Sequence, residues 1–224
     1  EGAGAAEFSG LREYRRGDNP RHVHWPTTAR LNELMVREYE PLASACIYIA
    51  LDQAAEANVG TGRESTFEYA VRIAASIARA ACAQNTRTRI AGQGKVSLRG
   101  LPGAGDGHFQ GILDELAVVA CDGALPYADL LTEIGPLCLR GETVVVFLSE
   151  KQPRWAATLQ ALATLRARQA NLFAVVFDQA SFLSEGTPSG PLTNHTQITA
   201  ALLELGAYCV TVRRGDDLVR LFNV

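Results

Sequence analysis

Three short apolar runs, residues 45–51, 143–148 and 172–177, contain no charged side chain, and each stops at a polar residue: Asp52, Ser149 and Asp178. Uninterrupted runs of this length mark strands covered on both faces, which is the condition of strands in a parallel sheet. Between them the apolar spacing changes to three and four. Residues 64–84 align Phe67, Ala70, Ala74, Ile77, Ala78 and Ala81, and residues 154–169 align Trp155, Leu159, Leu162 and Leu165, each making one face of a helix. Further helices are predicted from Phe109 onward, at 127–133, at 197–205 and from near Asp216, with another strand at 208–212. Strand alternating with helix implies right-handed crossovers, hence an α/β fold with a doubly wound, mostly parallel sheet. One pair breaks the rule. Residues 86–91 and 95–98 flank Gly92-Gln93-Gly94, a connection short enough for a hairpin, which supplies one antiparallel edge strand.

The size of the chain, 224 residues, suits one large domain behind an extension. The boundaries read as an Arg-rich N-terminal extension over 1–42 and the α/β domain over 43–224. With 21 Lys+Arg against 24 Asp+Glu the net charge is -3. The basic excess that drives binding to a phosphate backbone is therefore missing, and nucleic acid is not an expected partner. The longest apolar run, residues 42–51, is too short to insert in a membrane. The opening at Glu1, without a basic start or apolar leader, reads as that of a fragment. Five cysteines, Cys46, Cys82, Cys121, Cys138 and Cys209, form no C-x-x-C pair. Reduced, buried thiols and a cytoplasmic location follow as expectations.

In an open parallel sheet, ligands bind beyond the carboxyl ends of the strands. The residues expected there are Asp52, Glu56, Ser149 and Glu150, flanked by Asp178. Their oxygens are the donor type that magnesium prefers, although solvated loops and helix N-termini also collect acids. Other chemistries fail on spacing. The Gly100–107 loop has His108 where a dinucleotide fingerprint needs its third glycine, and Gly94-Lys95 is followed by Val96, which leaves a phosphate loop without its hydroxyl. No Gly-x-Ser-x-Gly elbow occurs, and none of His22, His24, His108 and His195 adjoins a recognisable nucleophile. The extension carries Arg12, Arg15, Arg16, Arg21, Arg30 and Arg37 among nearly as many acids. Either these arginines pair with acids and backbone carbonyls of the domain, or they form a docking arm. Residues 34–39 partly alternate and suit an edge strand.

The string Ser9-Gly10-Leu11-Arg12-Glu13-Tyr14-Arg15-Arg16-Gly17-Asp18, then Arg21, then His24-Trp25 with Ala29-Arg30, resembles the signature of the domain of unknown function 58 family. The likeness continues through Leu34-Met35-Val36-Arg37-Glu38-Tyr39-Glu40. Members of that family look like von Willebrand factor A domains, which implies five parallel strands and one antiparallel edge strand. The resemblance further implies a bacterial or archaeal protein, often tethered to the inner membrane by upstream helices and partnered by a MoxR-type AAA+ ATPase. It also implies a magnesium-holding adhesion site written Asp-x-Ser-x-Ser. Here those positions read Asp52-Gln53-Ala54-Ala55-Glu56. Alanine cannot ligate and glutamate changes both charge and reach, so the expected site is degenerate, with at most weak magnesium at Asp52, Glu56, Ser149 and Glu150. His24 is expected to be hydrogen-bonded beside a buried Trp25 rather than to hold a metal. The function expected is a non-enzymatic protein-interaction module. It binds through Asp52, Glu56, Ser149, Glu150 and Asp178 and through Arg12, Arg15, Arg21, His24, Trp25 and Arg30. The alternatives are a metal-assisted hydrolase using the rim carboxylates, with His108, and a scaffold domain of a cell-envelope system.

Overall fold

A computed structural model describes residues 6–15, 18, 23–31, 33–41, 46–149, 154–183 and 195–222. The chain divides into two compact units, Glu1–Ser44 and Ala45–Val224.

In the first unit, strand β1 (Ala6–Glu13) pairs antiparallel with β2 (Met35–Pro41), and helix α1 (Trp25–Leu31) lies between them in the chain. The segment expected to be an edge strand is thus half of a separate two-stranded ribbon. Backbone bonds hold the crossing: His24 N–H donates to Met35 O at 2.7 Å, and Met35 N–H donates to the Thr28 hydroxyl at 3.0 Å. Among the described residues, Val23 and Val36 form a buried apolar pair. Trp25 is 66% exposed, which corrects the expectation of a buried indole. The reason lies in α1, a helix of 7 residues that buries none of its side chains.

The second unit has a sheet of six strands in the order β5-β4-β3-β6-β7-β8. These are β3 (Cys46–Leu51), β4 (Arg87–Gly92), β5 (Leu98–Arg99), β6 (Thr143–Leu148), β7 (Asn171–Phe177) and β8 (Tyr208–Val212). All pairs are parallel except β4 with β5. Five parallel strands and one antiparallel edge strand is the composition that the von Willebrand A resemblance implies. The predicted hairpin is looser than its glycines suggest, since β5 starts at Leu98 and pairs over Ala91↔Arg99 and Gly92↔Leu98. Its turn is held from outside, where Lys95 N–H donates to Asp122 Oδ1 at 3.0 Å and the Gln53 amide donates to Val96 O at 3.1 Å.

The apolar runs bury both faces, and successive residues part company. Tyr48, Ala50, Val144, Val146, Ala174 and Val176 join one core with α4 (Tyr127–Ile134), α5 (Trp155–Ala167) and α7 (His195–Glu204). Ile49, Leu51, Ile90, Val145, Phe147 and Val175 join the other with α2 (Thr66–Ala83) and α3 (Gly105–Val118), beside the short α6 (Gln179–Phe182) and α8 (Leu218–Phe222). Helix α2 starts where it does because the Ser65 hydroxyl accepts from Glu68 N–H at 3.3 Å, filling one of the orphan donors of the first turn.

Candidate functional site

The winding reverses between β3 and β6, whose carboxyl ends deliver Asp52 and Ser149. A ligand crevice is expected at such a point. Between the two strands the fully buried Tyr127 donates its hydroxyl to Ala50 O at 2.6 Å and accepts from Phe147 N–H at 3.4 Å. On the α2 side is a cavity of about 10 Å3, lined by Asp52, Asn58, Thr66, Cys121 and Ser149 but also by Phe67, Phe147 and Phe177. That is about the space one water molecule needs.

Most of the polar groups around the cavity bond to nearby backbone or to one another. Asp52 is 7% exposed, and its Oδ1 accepts from Ala54 N–H at 2.9 Å. The Ser149 hydroxyl donates to Ala57 O at 2.8 Å, and the Ser149 carbonyl accepts from the Gln179 amide. Asn58 Oδ1 accepts from the Thr66 hydroxyl at 3.2 Å and from Phe67 N–H at 3.1 Å. The Cys121 thiol donates to Ala54 O at 3.2 Å. Burial pushes its pKa up to about 12, and the Asp52 and Asp122 carboxylates add to the shift, so it stays a thiol at neutral pH.

Gln53 ties the neighbouring loops together. It is 1% exposed, and its amide reaches both Val96 O at 3.1 Å and Ala120 O at 3.2 Å. A side chain on Gly92 or Gly94 would collide with it, as a Cβ at Gly92 would stand 2.3 Å from the Gln53 Oε1.

The remaining described acids of the predicted rim are held in ion pairs. The Glu56 side chain is 75% exposed and pairs with Arg154 at 3.1 Å. Asp178 pairs with Arg213 at 3.3 Å and stands 3.5 Å from His195 Nδ1, and Glu64 pairs with Arg214 at 3.5 Å. Thus Asp52 and Ser149 share a cavity, while Glu56 and Asp178 belong to an outer belt of ion pairs. Glu150 lies outside the described residues. Among the described residues, no group of three or more His, Cys, Asp or Glu side chains is placed to hold a metal ion. His108 is elsewhere, with Nε2 at 2.7 Å from Thr88 O.

In the first unit, Arg12 grips Asp18 through two bonds of 2.7 and 2.8 Å, and Arg15 N–H adds a third at 2.7 Å. The Arg12 hydrogen bonds come first among the causes that hold the Asp18 carboxyl at about 2, well below its usual range. His24 Nδ1 is 2.8 Å from the Thr27 hydroxyl. Arg30 lies in the last turn of α1, and Arg21 lies outside the described residues. Sequence reasoning missed Arg154, Arg213, Arg214 and Cys121. The first three had a signal, since Arg213 and Arg214 directly follow β8 and Arg154 directly precedes α5, as Asp52 and Asp178 directly follow their strands.

The family described as "Protein of unknown function DUF58" matches residues 10–180. The chain belongs to this family. A curated relative, the "Uncharacterized protein YeaD" of Bacillus subtilis, is 30% identical over 116 residues, which cover 52% of this chain and 27% of that relative. Among solved structures, the manganese-loaded TRAP protein of Plasmodium vivax aligns over 73% of this chain and 74% of its own, at 10% identity and a TM-score of 0.44. As a DUF58 chain it places the signature residues Arg12 and Asp18 in one ion pair and leaves the signature Trp25 at the surface.

Magnesium, which the von Willebrand A resemblance implies, does not fit the described residues. It needs near-ideal octahedral oxygen geometry and usually keeps several waters. The cavity of about 10 Å3 has a phenylalanine-rich wall, Ala54 offers no side-chain oxygen, and Glu56 is engaged with Arg154 at the surface.

Proposed function

We propose that this chain is a non-enzymatic protein-interaction module whose docking surface is the carboxyl-end rim, and that its partner is a MoxR-type AAA+ ATPase or a membrane-associated assembly. The observation that carries the reading is the division within the rim. Inner polar groups serve the fold, whereas Glu56–Arg154, Asp178–Arg213 and Glu64–Arg214 are ion pairs with at least one partner open to solvent. Exposed pairs of this kind are worth only ~0–1 kcal/mol each, so they re-pair across an interface at little cost and guide encounter by charge complementarity. The adhesion site is degenerate and has no resident cofactor; magnesium binds weakly at most. The extension adds a second element, with Arg12, Arg15, Arg21 and Arg30 as its charges and Trp25 as the kind of aromatic anchor that interfaces favour. The module works at the cytoplasmic face.

The test is biolayer interferometry between this chain and the MoxR-type ATPase of the same genome, with and without ATP. Saturable binding is expected, weakened about tenfold by Glu56→Lys combined with Arg213→Glu. Absence of binding removes this partner, and binding unchanged by the double variant removes the rim.

A further inference from the structure

Strand β4 carries a cation on a face of the sheet that belongs to the core. Arg89 stands opposite Tyr48 in the β3–β4 register, on the side where Tyr48 and Ala91 join the core with α4. Its guanidinium carbon lies 4.1 Å from the centre of the Tyr48 ring, and Nη2 donates to the Tyr48 hydroxyl at 2.8 Å. Nε is buried without a partner, and among the described residues no acid forms an ion pair with Arg89. An inward charge can guard an exposed strand edge. That role is idle here, because β4 is bonded to β3 on one side and to Gly103 and β5 on the other. A half-buried guanidinium without a carboxylate costs the fold free energy, which a counter-charge from outside would offset.

Arg89 lines a cavity of about 150 Å3 where α4 meets β4 and β5. Leu98, Leu130 and Ile134 are its buried walls, and Leu101 and Leu137 are its exposed ones. Glu133, the acid among the described lining residues, is already engaged. Its Oε2 accepts from the Gln93 amide at 2.6 Å, and its Oε1 stands 3.4 Å from Arg99. Arg89 is thus the cation left over.

Charge, size and surface together select the ligand. Arg89 and Arg99 against Glu133 leave one positive charge in the described lining, which matches a monoanion. The volume holds about eight non-hydrogen atoms at close-packed density. The walls are hydrocarbon, so the rest of the ligand is apolar. We propose that this cavity binds a small branched aliphatic monocarboxylate, with its carboxylate against the Arg89 guanidinium and its hydrocarbon end against Leu98, Leu130 and Ile134. Guanidinium paired with carboxylate is among the strongest of charge-assisted contacts. The site lies at the antiparallel edge of the sheet and stands apart from the rim and its ion pairs.

An NMR titration of the nitrogen-15-labelled whole chain with 4-methylpentanoate tests this. The amides of Arg89, Ala91, Leu98 and Leu130 should shift and saturate, with a Kd below about 1 mM. The uncharged 4-methylpentanamide and inorganic phosphate, which lack the charge and the hydrocarbon respectively, should each bind at least about tenfold more weakly. Arg89→Met should abolish binding. That variant also takes the Tyr48 hydroxyl's partner away, so Arg99→Glu at an exposed position gives a second reading. It reverses the local charge and should weaken binding about fivefold at low ionic strength, with the circular dichroism spectrum unchanged. If Arg89→Met does not fold, Arg99→Glu alone decides. The proposal is overturned if 4-methylpentanoate does not bind, if the amide or phosphate binds as tightly, or if the folded variants bind as the parent does. It is equally overturned if N-acetylglycyl-leucine binds more tightly than the free acid, since the ligand is then the end of a peptide chain.

Discussion

Asp18 and Asp52 are both aspartates held by short contacts, and their surroundings give them opposite work. Asp18 accepts two bonds from Arg12 and one from Arg15 N–H, and its pKa falls from 3.8 to about 2. A carboxyl with a lowered folded-state pKa contributes stability that is complete above the unfolded value and is lost as pH falls through the folded value. The Arg12–Asp18 link should therefore persist down to pH of about 4 and disappear toward 2. A carbon-13 NMR titration of the Asp18 carboxyl should give a midpoint near 2, and Arg12→Ala should return it most of the way to the ordinary value; an unmoved midpoint would assign the shift to another cause. Asp52 instead spends Oδ1 on the amide two residues on, the local bond an aspartate makes when it ends a strand and starts a turn. Its position was legible, because a charge directly after an uninterrupted apolar run marks the carboxyl end of a parallel strand. That its neighbours would be Phe67, Phe147, Phe177 and Cys121 was not, since they come from four segments that only the folded topology brings together.

At the scale of elements, Tyr127 shows what joins the two halves of the sheet. The β3–β6 ladder ends at Ala50↔Val146, and at that end the Tyr127 hydroxyl, from the start of α4, donates to Ala50 O and accepts from Phe147 N–H. Tyr127→Phe removes a buried hydroxyl bonded to both backbone groups, so a loss of about 0.5–1.5 kcal/mol is expected. Equilibrium urea unfolding measures it, and a change below ~0.5 kcal/mol would mean that the ladder closes without the hydroxyl. The strands and long helices were readable because period carries them: buried strands give unbroken apolar runs and helices give three-and-four spacing. β1 escaped because Ala6–Glu13 has no sustained alternation, and α6 because 4 residues make no periodic pattern. β5 shifted to Leu98–Arg99 because Gln53 and Asp122, distant in sequence, hold the turn. Trp25 came out exposed because burial depends on what a helix packs against, and α1 buries no residue at all.

At the scale of the molecule, one doubly wound sheet carries inner polar groups bonded mostly within the fold and an outer belt of ion pairs. These decide the reading of the DUF58 rim. A cation site needs oxygen donors that are free to converge, and here Ser149 gives its proton to Ala57 O, Glu56 faces Arg154, and Ala54 supplies a methyl group. Rearranging these contacts would cost several hydrogen bonds at ~1 kcal/mol net each, more where a buried group is stranded. Calorimetric titration of the whole chain with manganese, at low ionic strength and neutral pH, tests this most directly. Binding no tighter than about millimolar, and equal in the parent and Asp52→Ala, is the predicted result; low-micromolar binding that Asp52→Ala abolishes would contradict it.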